Sequence, residues 1–98
     1  MPTVVVTVNE REFLGADLPR QKEIRRLAGR LQGEPYLGDR IQRRRVPKSF
    51  RSFPNLFRLA LSGGWRALYT VGGAPTEHLE VRILWIGDHK RCERLFGY

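Results

Sequence analysis

Apolar and polar positions alternate along residues 56–71, a pattern that is typical of β-strands. Two aliphatic and aromatic runs, at 56–61 and 65–71, are separated by Ser62-Gly63-Gly64. A three-residue connection with glycine has the length and the composition of a hairpin loop. The pattern therefore predicts an antiparallel hairpin.

The hairpin has a predicted register in which Leu61 pairs with Trp65 and Ala60 lies opposite Arg66. Because side chains alternate between the faces of a sheet, each face then has its own character. One face is apolar and holds Leu59, Leu61, Trp65, Ala67, Tyr69 and Val71. The other face holds Arg58, Ala60, Arg66, Leu68 and Thr70. The sequence therefore predicts two arginines on the second face.

The N-terminal third of the chain predicts a strand at residues 3–8 followed by two helices. Asn9 is a favourable cap for a short helix that runs to Leu18, and Pro19 can open a second helix at its first turn. The second helix has an apolar stripe at Ile24, Leu27, Ala28 and Leu31 and ends near Gly33. We expect this helical hairpin to cover the apolar face and to leave the other face open.

The last strand is predicted at residues 78–86, where the sequence is almost continuously apolar. Val81, Ile83 and Trp85 alternate there with Arg82, Leu84 and Ile86, which predicts Trp85 in the same core as Trp65 and Tyr69. We expect this strand to be the neighbour of the first one, and a short helix capped by Asp88 to follow it. The predicted fold is a single α+β domain, residues 1–98, with a four-stranded mostly antiparallel sheet.

Composition adds a strong positive charge. The 98 residues include 18 Lys and Arg against 10 Asp and Glu, a net charge of +8, which favours a polyanionic partner. Nucleic acid is the leading class, and a membrane surface is not expected because no long basic amphipathic helix accompanies the charge.

A dense basic run lies between residues 40 and 51 and contains Arg40, Arg43, Arg44, Arg45, Lys48 and Arg51. Pro47 and Pro54 predict a loop rather than a helix or strand. Such a run is either a solvated loop or a docking surface for RNA phosphates, and the sequence leaves both interpretations open.

Cysteine and histidine are scarce. Cys92 is the only cysteine and the histidines are His78 and His89, so an internal disulfide is excluded and neither a zinc set nor a cofactor is expected. His78 lies beside acidic residues at a turn and is predicted to be a surface residue. The valine run at 4–6 is too short for a signal-peptide core, and we expect a cytoplasmic protein.

The motifs resemble those of the RelE/ParE superfamily of toxins from type II toxin-antitoxin systems. LFRLALSGGWRALYTV, residues 56–71, is similar to the family's basic second strand, Gly-aromatic-Arg turn and Tyr-containing third strand. ILWIGDHKRCERLFGY, residues 83–98, resembles its closing strand, Gly-Asp-His-Lys segment and final aromatic residue. The order of predicted elements is also similar to that of the family.

The resemblance implies a ribosome-dependent endoribonuclease, an mRNA interferase that inhibits translation and is restrained by an antitoxin protein in a hetero-oligomer. It implies cleavage through the RNA 2′-hydroxyl, without a metal. Arg66 matches the arginine at the scissile phosphate, and Arg58 matches a basic residue of the second strand. His89 matches a histidine of members with a Gly-x-His segment, and Tyr98 matches a C-terminal tyrosine.

These residue types suit the chemistry that the resemblance implies. The guanidinium of Arg66 can clamp the phosphate, His89 can exchange a proton near neutral pH, and Tyr98 can stack on a base or handle a proton. RNA contacts are expected from Arg58, Arg43, Arg44, Arg45, Lys48, Lys90 and Arg91. The simpler interpretation pairs Arg66 with Glu80.

Two positions depart from the family pattern and keep other functions open. Ala60 replaces a second basic residue, and Cys92 stands where many similar sequences have tyrosine. The alternatives are a ParE-like inhibitor of DNA gyrase and an RNA-binding relative that has lost activity.

Overall fold

The computed structural model describes residues 3–74 and 76–97 and has an α+β fold. Its strands are β1 (Thr3–Val8), β2 (Asp39–Arg40), β3 (Phe57–Ala60), β4 (Arg66–Ala74) and β5 (His78–Gly87). Its α-helices are α1 (Glu10–Leu14), α2 (Leu18–Gly33) and α3 (His89–Phe96). Short 3-10 turns occupy Arg43–Arg45, Lys48–Phe50 and Ser62–Gly64. None of the described helices is both long and apolar enough to cross a bilayer.

The sheet is mixed and has the order β1-β5-β4-β3-β2 within the described residues. The α+β class and the adjacency of the first and last strands are confirmed. The strand count differs from the predicted four because the two-residue β2 is too short to show a pattern in the sequence. β1 and β5 run parallel, with Val6 opposite Val81, whereas the other pairs are antiparallel.

The β3–β4 hairpin has the predicted register. The Leu61 N–H donates to the Trp65 carbonyl at 2.8 Å, and Ala60 lies opposite Arg66. Gly63 and Gly64 have φ angles of 66° and 79°, a region that residues with a Cβ rarely adopt. The glycines thus explain why the chain reverses at this point.

The first face of the sheet packs against α2, as the sequence predicts. The Asn9 and Asp17 side chains cap α1 and α2 by accepting hydrogen bonds from backbone N–H groups. Asp17 is the N-cap of α2, so α1 ends at Leu14 and not at Leu18, where the sequence predicted its end. The core on this face includes Ile24, Leu27, Leu31, Phe57, Leu61, Ala67, Tyr69, Val71, Leu79, Val81, Ile83 and Ile86.

The second face is not open, which corrects the prediction from the sequence. A smaller hydrophobic cluster covers its middle and consists of Val46, Leu56, Leu68, Trp85 and Cys92. Ile41, Phe50, Leu84, Leu95 and Phe96 pack around that cluster. The cover comes from α3 and from the segment between β2 and β3. The apolar side chains of that segment were not predicted as core because arginines surround them in the sequence.

A bulge in β5 explains the position of Trp85. Tyr69 lies opposite Ile83, but the preceding Leu68 lies opposite Trp85, so Leu84 is an extra residue in β5. The extra residue breaks the alternation and moves Trp85 to the second face, while Ile86 joins the first. The prediction that Trp85 shares a core with Trp65 and Tyr69 was therefore wrong.

Candidate RNA-binding site

A positively charged depression lies on the second face between β2, β3 and the end of α3. We call it the basic cleft; it is lined by Arg40, Ile41, Gln42, Arg45, Arg58 and Phe96. Its volume of about 210 Å³ is below the roughly 300–1,000 Å³ of pockets that enclose a small molecule. Its guanidinium groups and one aromatic ring suit part of a polymer, such as a phosphate and an adjoining base, better than a whole small ligand.

Arg58 and Arg66 lie on this face, as predicted, and both are half-buried. In the hairpin they are diagonal neighbours, roughly 7 Å apart at their Cβ atoms. The Arg66 guanidinium also donates to the Trp65 carbonyl at 3.2 Å. Two half-buried cations at this separation make a focused positive site on one strand pair.

Cys92 packs with Leu68 and Trp85 on the same face as the two arginines. Burial raises the pKa of its thiol, and the positive charges of Arg58 and Arg66 oppose that rise. The side chain is only 7% exposed, so it packs in the second-face cluster. Its position confirms that α3 lies over the arginine-bearing side of the sheet, and no aromatic platform exists at this residue.

His89 begins α3, at the end of the sheet where Arg66 lies. Arg66 pairs with Gly87, two residues before His89, and the Asp88 carboxylate caps the helix by accepting from the Arg91 N–H at 2.8 Å. The His89 imidazole is exposed, and its Nε2 lies 2.8 Å from Glu93 Oε1. Glu93 thus orients the ring and leaves Nδ1 for another partner.

α3 has two sides with different neighbours. His89, Glu93 and Phe96 are spaced at i, i+4 and i+7 and share the side that reaches the basic cleft. Arg91 lies on another side, with its guanidinium 5.4 Å from the centre of the Trp85 ring. Lys90 is exposed. Of the two cations predicted in this helix, Arg91 therefore does not line the cleft.

The basic run is folded into two 3-10 turns rather than an irregular loop. The Arg43 guanidinium donates to the carbonyls of Phe53, at 2.7 Å, and Arg51. Arg43 therefore braces the segment, and its role in RNA binding stays a prediction. Arg44 and Lys48 are exposed, and Arg45 lines the basic cleft.

Arg40 is a cleft residue that the sequence did not assign to RNA binding. It lies in β2 opposite Phe57, and β2 is positioned by the Gly38 N–H, which donates to the Tyr69 hydroxyl at 2.7 Å. A Cβ at residue 38 would approach the Arg58 carbonyl to 2.8 Å, so glycine is needed there. The one signal in the sequence is Gly38, two residues before Arg40, since a glycine there could have indicated that this segment packs closely against the sheet.

Two further sequence predictions have clear outcomes. Glu80 lies opposite Gly72, far along the strand from Gly87, so it is not the partner of Arg66. His78 is exposed, with its Nε2 3.5 Å from a Glu80 oxygen, as expected of a surface residue. Tyr98 lies outside the described residues. Among those residues, no group of three or more His, Cys, Asp and Glu side chains could hold a metal ion.

Comparisons of the chain with protein-family models, with curated proteins and with solved structures found no match.

Proposed function

We propose that this protein is a ribosome-dependent mRNA endoribonuclease of the RelE type, the toxin of a type II toxin-antitoxin pair. The observation that carries the proposal is that Arg58 and Arg66 share the second face of the sheet, and that α3 begins two residues after Gly87, the partner of Arg66, and ends with Phe96 at the basic cleft. The order of the elements, with a helical hairpin on one face and α3 on the other, supports a RelE-like fold.

Each residue has a defined task in the proposed reaction. The 2′-oxygen attacks the adjacent phosphorus and the 5′-oxygen leaves, so a cyclic phosphate and a free 5′-hydroxyl form. Arg66 stabilises the charge on the five-coordinate phosphate, and Arg58 binds a neighbouring phosphate. His89 acts through Nδ1 as the base that takes the 2′-hydroxyl proton or as the acid that protonates the leaving 5′-oxygen, and the other proton is exchanged with Tyr98 or with solvent. Glu93 orients the His89 ring. Tyr98 keeps its proposed role as a stacking or proton-handling partner.

The hydrophobic cover of the second face limits where RNA is bound. Leu68 and Trp85 are 0% and 8% exposed, so bases cannot stack on the middle of the sheet. The RNA path that remains runs along the rim, from the His89 end of α3 past Arg66 and Arg58 to Phe96. An RNA strand that follows this path would next meet the cations of the segment at residues 43–48, which can bind its phosphates.

The partners follow from the same surface. Ribosomal RNA and mRNA supply the phosphates for the rim and for Arg44, Arg45, Lys48 and Lys90. An antitoxin whose acidic or amphipathic segment covers the basic cleft would neutralise the charge and block access in a toxin–antitoxin complex. The cytoplasm, where translation occurs, is the compartment that this function requires.

The experiment uses purified protein, ribosomes programmed with a defined mRNA, and mapping of RNA ends. The proposal predicts cuts in the A-site codon, with a 5′-hydroxyl on the downstream fragment and no cut where the attacking nucleotide carries 2′-deoxyribose. Arg66→Gln and His89→Gln are expected to lose cleavage. Arg82→Gln, which removes an exposed cation from β5, is the matched control. Cleavage by all three variants at the wild-type rate would reject the assigned roles.

A second candidate is an RNA-binding relative without activity. It is favoured by the exposure of the His89 imidazole, 63% of its side chain, and by the 2.8 Å contact of its Nε2 with Glu93, because an exposed ring held by its own helix can serve only to start α3. Ribosome binding without cuts would select this function. A supercoiling assay with DNA gyrase tests the ParE-like alternative, for which inhibition without RNA cleavage is the expected signature.

A further inference from the structure

A second positive surface lies on the opposite side of the domain from the basic cleft. α2 packs its apolar stripe of Ile24, Leu27 and Leu31 against the first face of the sheet. Its outward side carries Lys22, Arg26 and Arg30, which we call the α2 stripe, and all three are exposed. At four-residue spacing these cations are about 6 Å apart along the helix axis, so the stripe is about 12 Å long.

The α2 stripe has no neutralising partner in the described part of the chain. None of its three side chains has an ion pair or a hydrogen bond there. Glu23, the acidic residue nearest in sequence to Lys22 and Arg26, is engaged elsewhere: its carboxylate accepts from Arg20 and from the Ser62 N–H and hydroxyl. The positive charge of the stripe is therefore fully available to solvent or to a partner.

The stripe conflicts with helix stability. Lys22 and Arg26, and Arg26 and Arg30, are like-charged pairs at i and i+4, an arrangement that destabilises a helix. Gly29 lies on the same side, exposed and in an ordinary helical conformation, and a Cβ at this residue would meet no atom within 4 Å apart from its chain neighbours and the backbone of its own helix. Neither packing nor backbone geometry therefore requires glycine there, although glycine weakens a helix interior. Arg30 alone has a local reason, since a cation favours the last turn of a helix.

We propose that the α2 stripe is a second RNA-binding surface that grips the phosphate backbone of a structured RNA, so that one protein molecule contacts two RNA segments on opposite sides. The unpaired cations supply charge complementarity, and the missing side chain at Gly29 lets the backbone of the RNA approach the helix closely. This inference rests on the proposed function for the kind of polyanion, and folded ribosomal RNA is the source that function provides.

The test uses full-length protein and two short RNA duplexes, one labelled with a fluorescence donor and the other with an acceptor. Wild-type protein is expected to bring donor and acceptor together with RNA in twofold molar excess. The triple variant Lys22→Gln, Arg26→Gln, Arg30→Gln is expected to bind one duplex and give no energy transfer. For this variant, the slope of log K against log salt concentration should be shallower by about 2 to 3, because three phosphate contacts are removed.

A charge-matched control separates the stripe from net charge. Arg11→Gln, Arg82→Gln and Arg94→Gln together remove the same three charges from exposed sites away from the stripe. This control is expected to retain energy transfer. Equal loss in the control and the stripe variant would overturn the inference, because net charge alone would then explain binding.

Stability is separated by Lys22→Glu, which replaces the like-charged Lys22–Arg26 pair by an attractive one at i, i+4. We expect its thermal midpoint to be at least that of wild type while energy transfer is lost; retained transfer would contradict the proposal. Vesicles of anionic phospholipid form the last arm, and a stripe variant that loses vesicle binding but bridges RNA normally would assign the surface to membranes instead. None of these readouts uses cleavage, so bridging without nuclease activity would reject the proposed function and leave this inference standing.

Discussion

The backbone N–H of Gly38 donates a 2.7 Å hydrogen bond to the hydroxyl of Tyr69, whose side chain is fully buried in the first-face core. The Tyr69 ring also stacks on Phe57, with 5.2 Å between ring centres. Phe57 pairs with Arg40 across β2 and β3. One buried tyrosine therefore connects the hydrophobic core to the strand that places Arg40 in the basic cleft.

Tyr69→Phe removes this hydrogen bond while keeping the stacked ring. We expect a loss of about 1 kcal/mol in the free energy of unfolding, because the Gly38 N–H loses its acceptor in a partly buried site. In a domain of this size the loss corresponds to a fall of roughly 4 to 8 °C in thermal midpoint. Tyr36→Phe, at a side chain that is 55% exposed, is the control and should leave the midpoint unchanged.

The side-chain amide of Asn55, just before β3, pairs with the backbone of β4 as a neighbouring strand would. Its Oδ1 accepts from the Val71 N–H at 2.8 Å and from the Thr70 hydroxyl at 2.9 Å, and its Nδ2 donates to the Val71 carbonyl at 2.9 Å. Asn55→Ala should cost about 1 to 3 kcal/mol, since buried groups of β4 lose their partners. Urea denaturation measures the effect. An unchanged midpoint would show that water replaces the amide without cost.

Glu23 gives the stability a defined pH dependence. Burial of its carboxyl opposes ionisation, but hydrogen bonds from Ser62 and Arg20 outweigh it and hold the pKa below its ordinary value of 4.5. The ionised form is therefore favoured by folding, so the stabilisation is present above pH 4.5 and is lost as the pH falls through the lower pKa of the folded state. The difference in urea midpoint between wild type and Glu23→Gln should be largest near neutral pH and shrink on acidification. A difference that grows at low pH would contradict this sign.

Cys92 should react slowly in the folded protein. Burial raises the pKa of its thiol and also blocks access, so the thiolate that attacks iodoacetamide is scarce. Labelling followed by mass spectrometry is expected to be much slower in buffer than in urea. Rapid labelling of the native protein would mean that α3 detaches readily from the second face.

Local sequence signals predicted those parts of the fold in which one short segment determines the geometry. The Leu61–Trp65 pairing follows from the glycines of the turn, and the caps at Asn9 and Asp88 follow from side chains that accept N–H bonds. The position of Trp85 could not be predicted, because a bulge is set by the pairing of β5 with β4 and leaves no mark in the alternation.

The candidate site could be predicted only in part, because local patterns do not record contacts between distant segments. Arg58 and Arg66 could be assigned to one face because they lie in a single hairpin. Arg40 and Phe96 join them through tertiary packing of β2 and α3, which no local pattern records. The cover formed by Val46, Leu56 and their neighbours was missed because arginines surround those residues in the sequence.

The single-turnover rate of mRNA cleavage on programmed ribosomes tests the central claim most directly, with wild type, Arg66→Gln and Arg82→Gln compared side by side. If Arg66 stabilises the phosphate in the transition state, Arg66→Gln should lower the rate about 10² to 10³-fold, and Arg82→Gln should cleave at close to the wild-type rate. Equal rates for the two variants, or no cleavage by wild-type protein, would contradict the account.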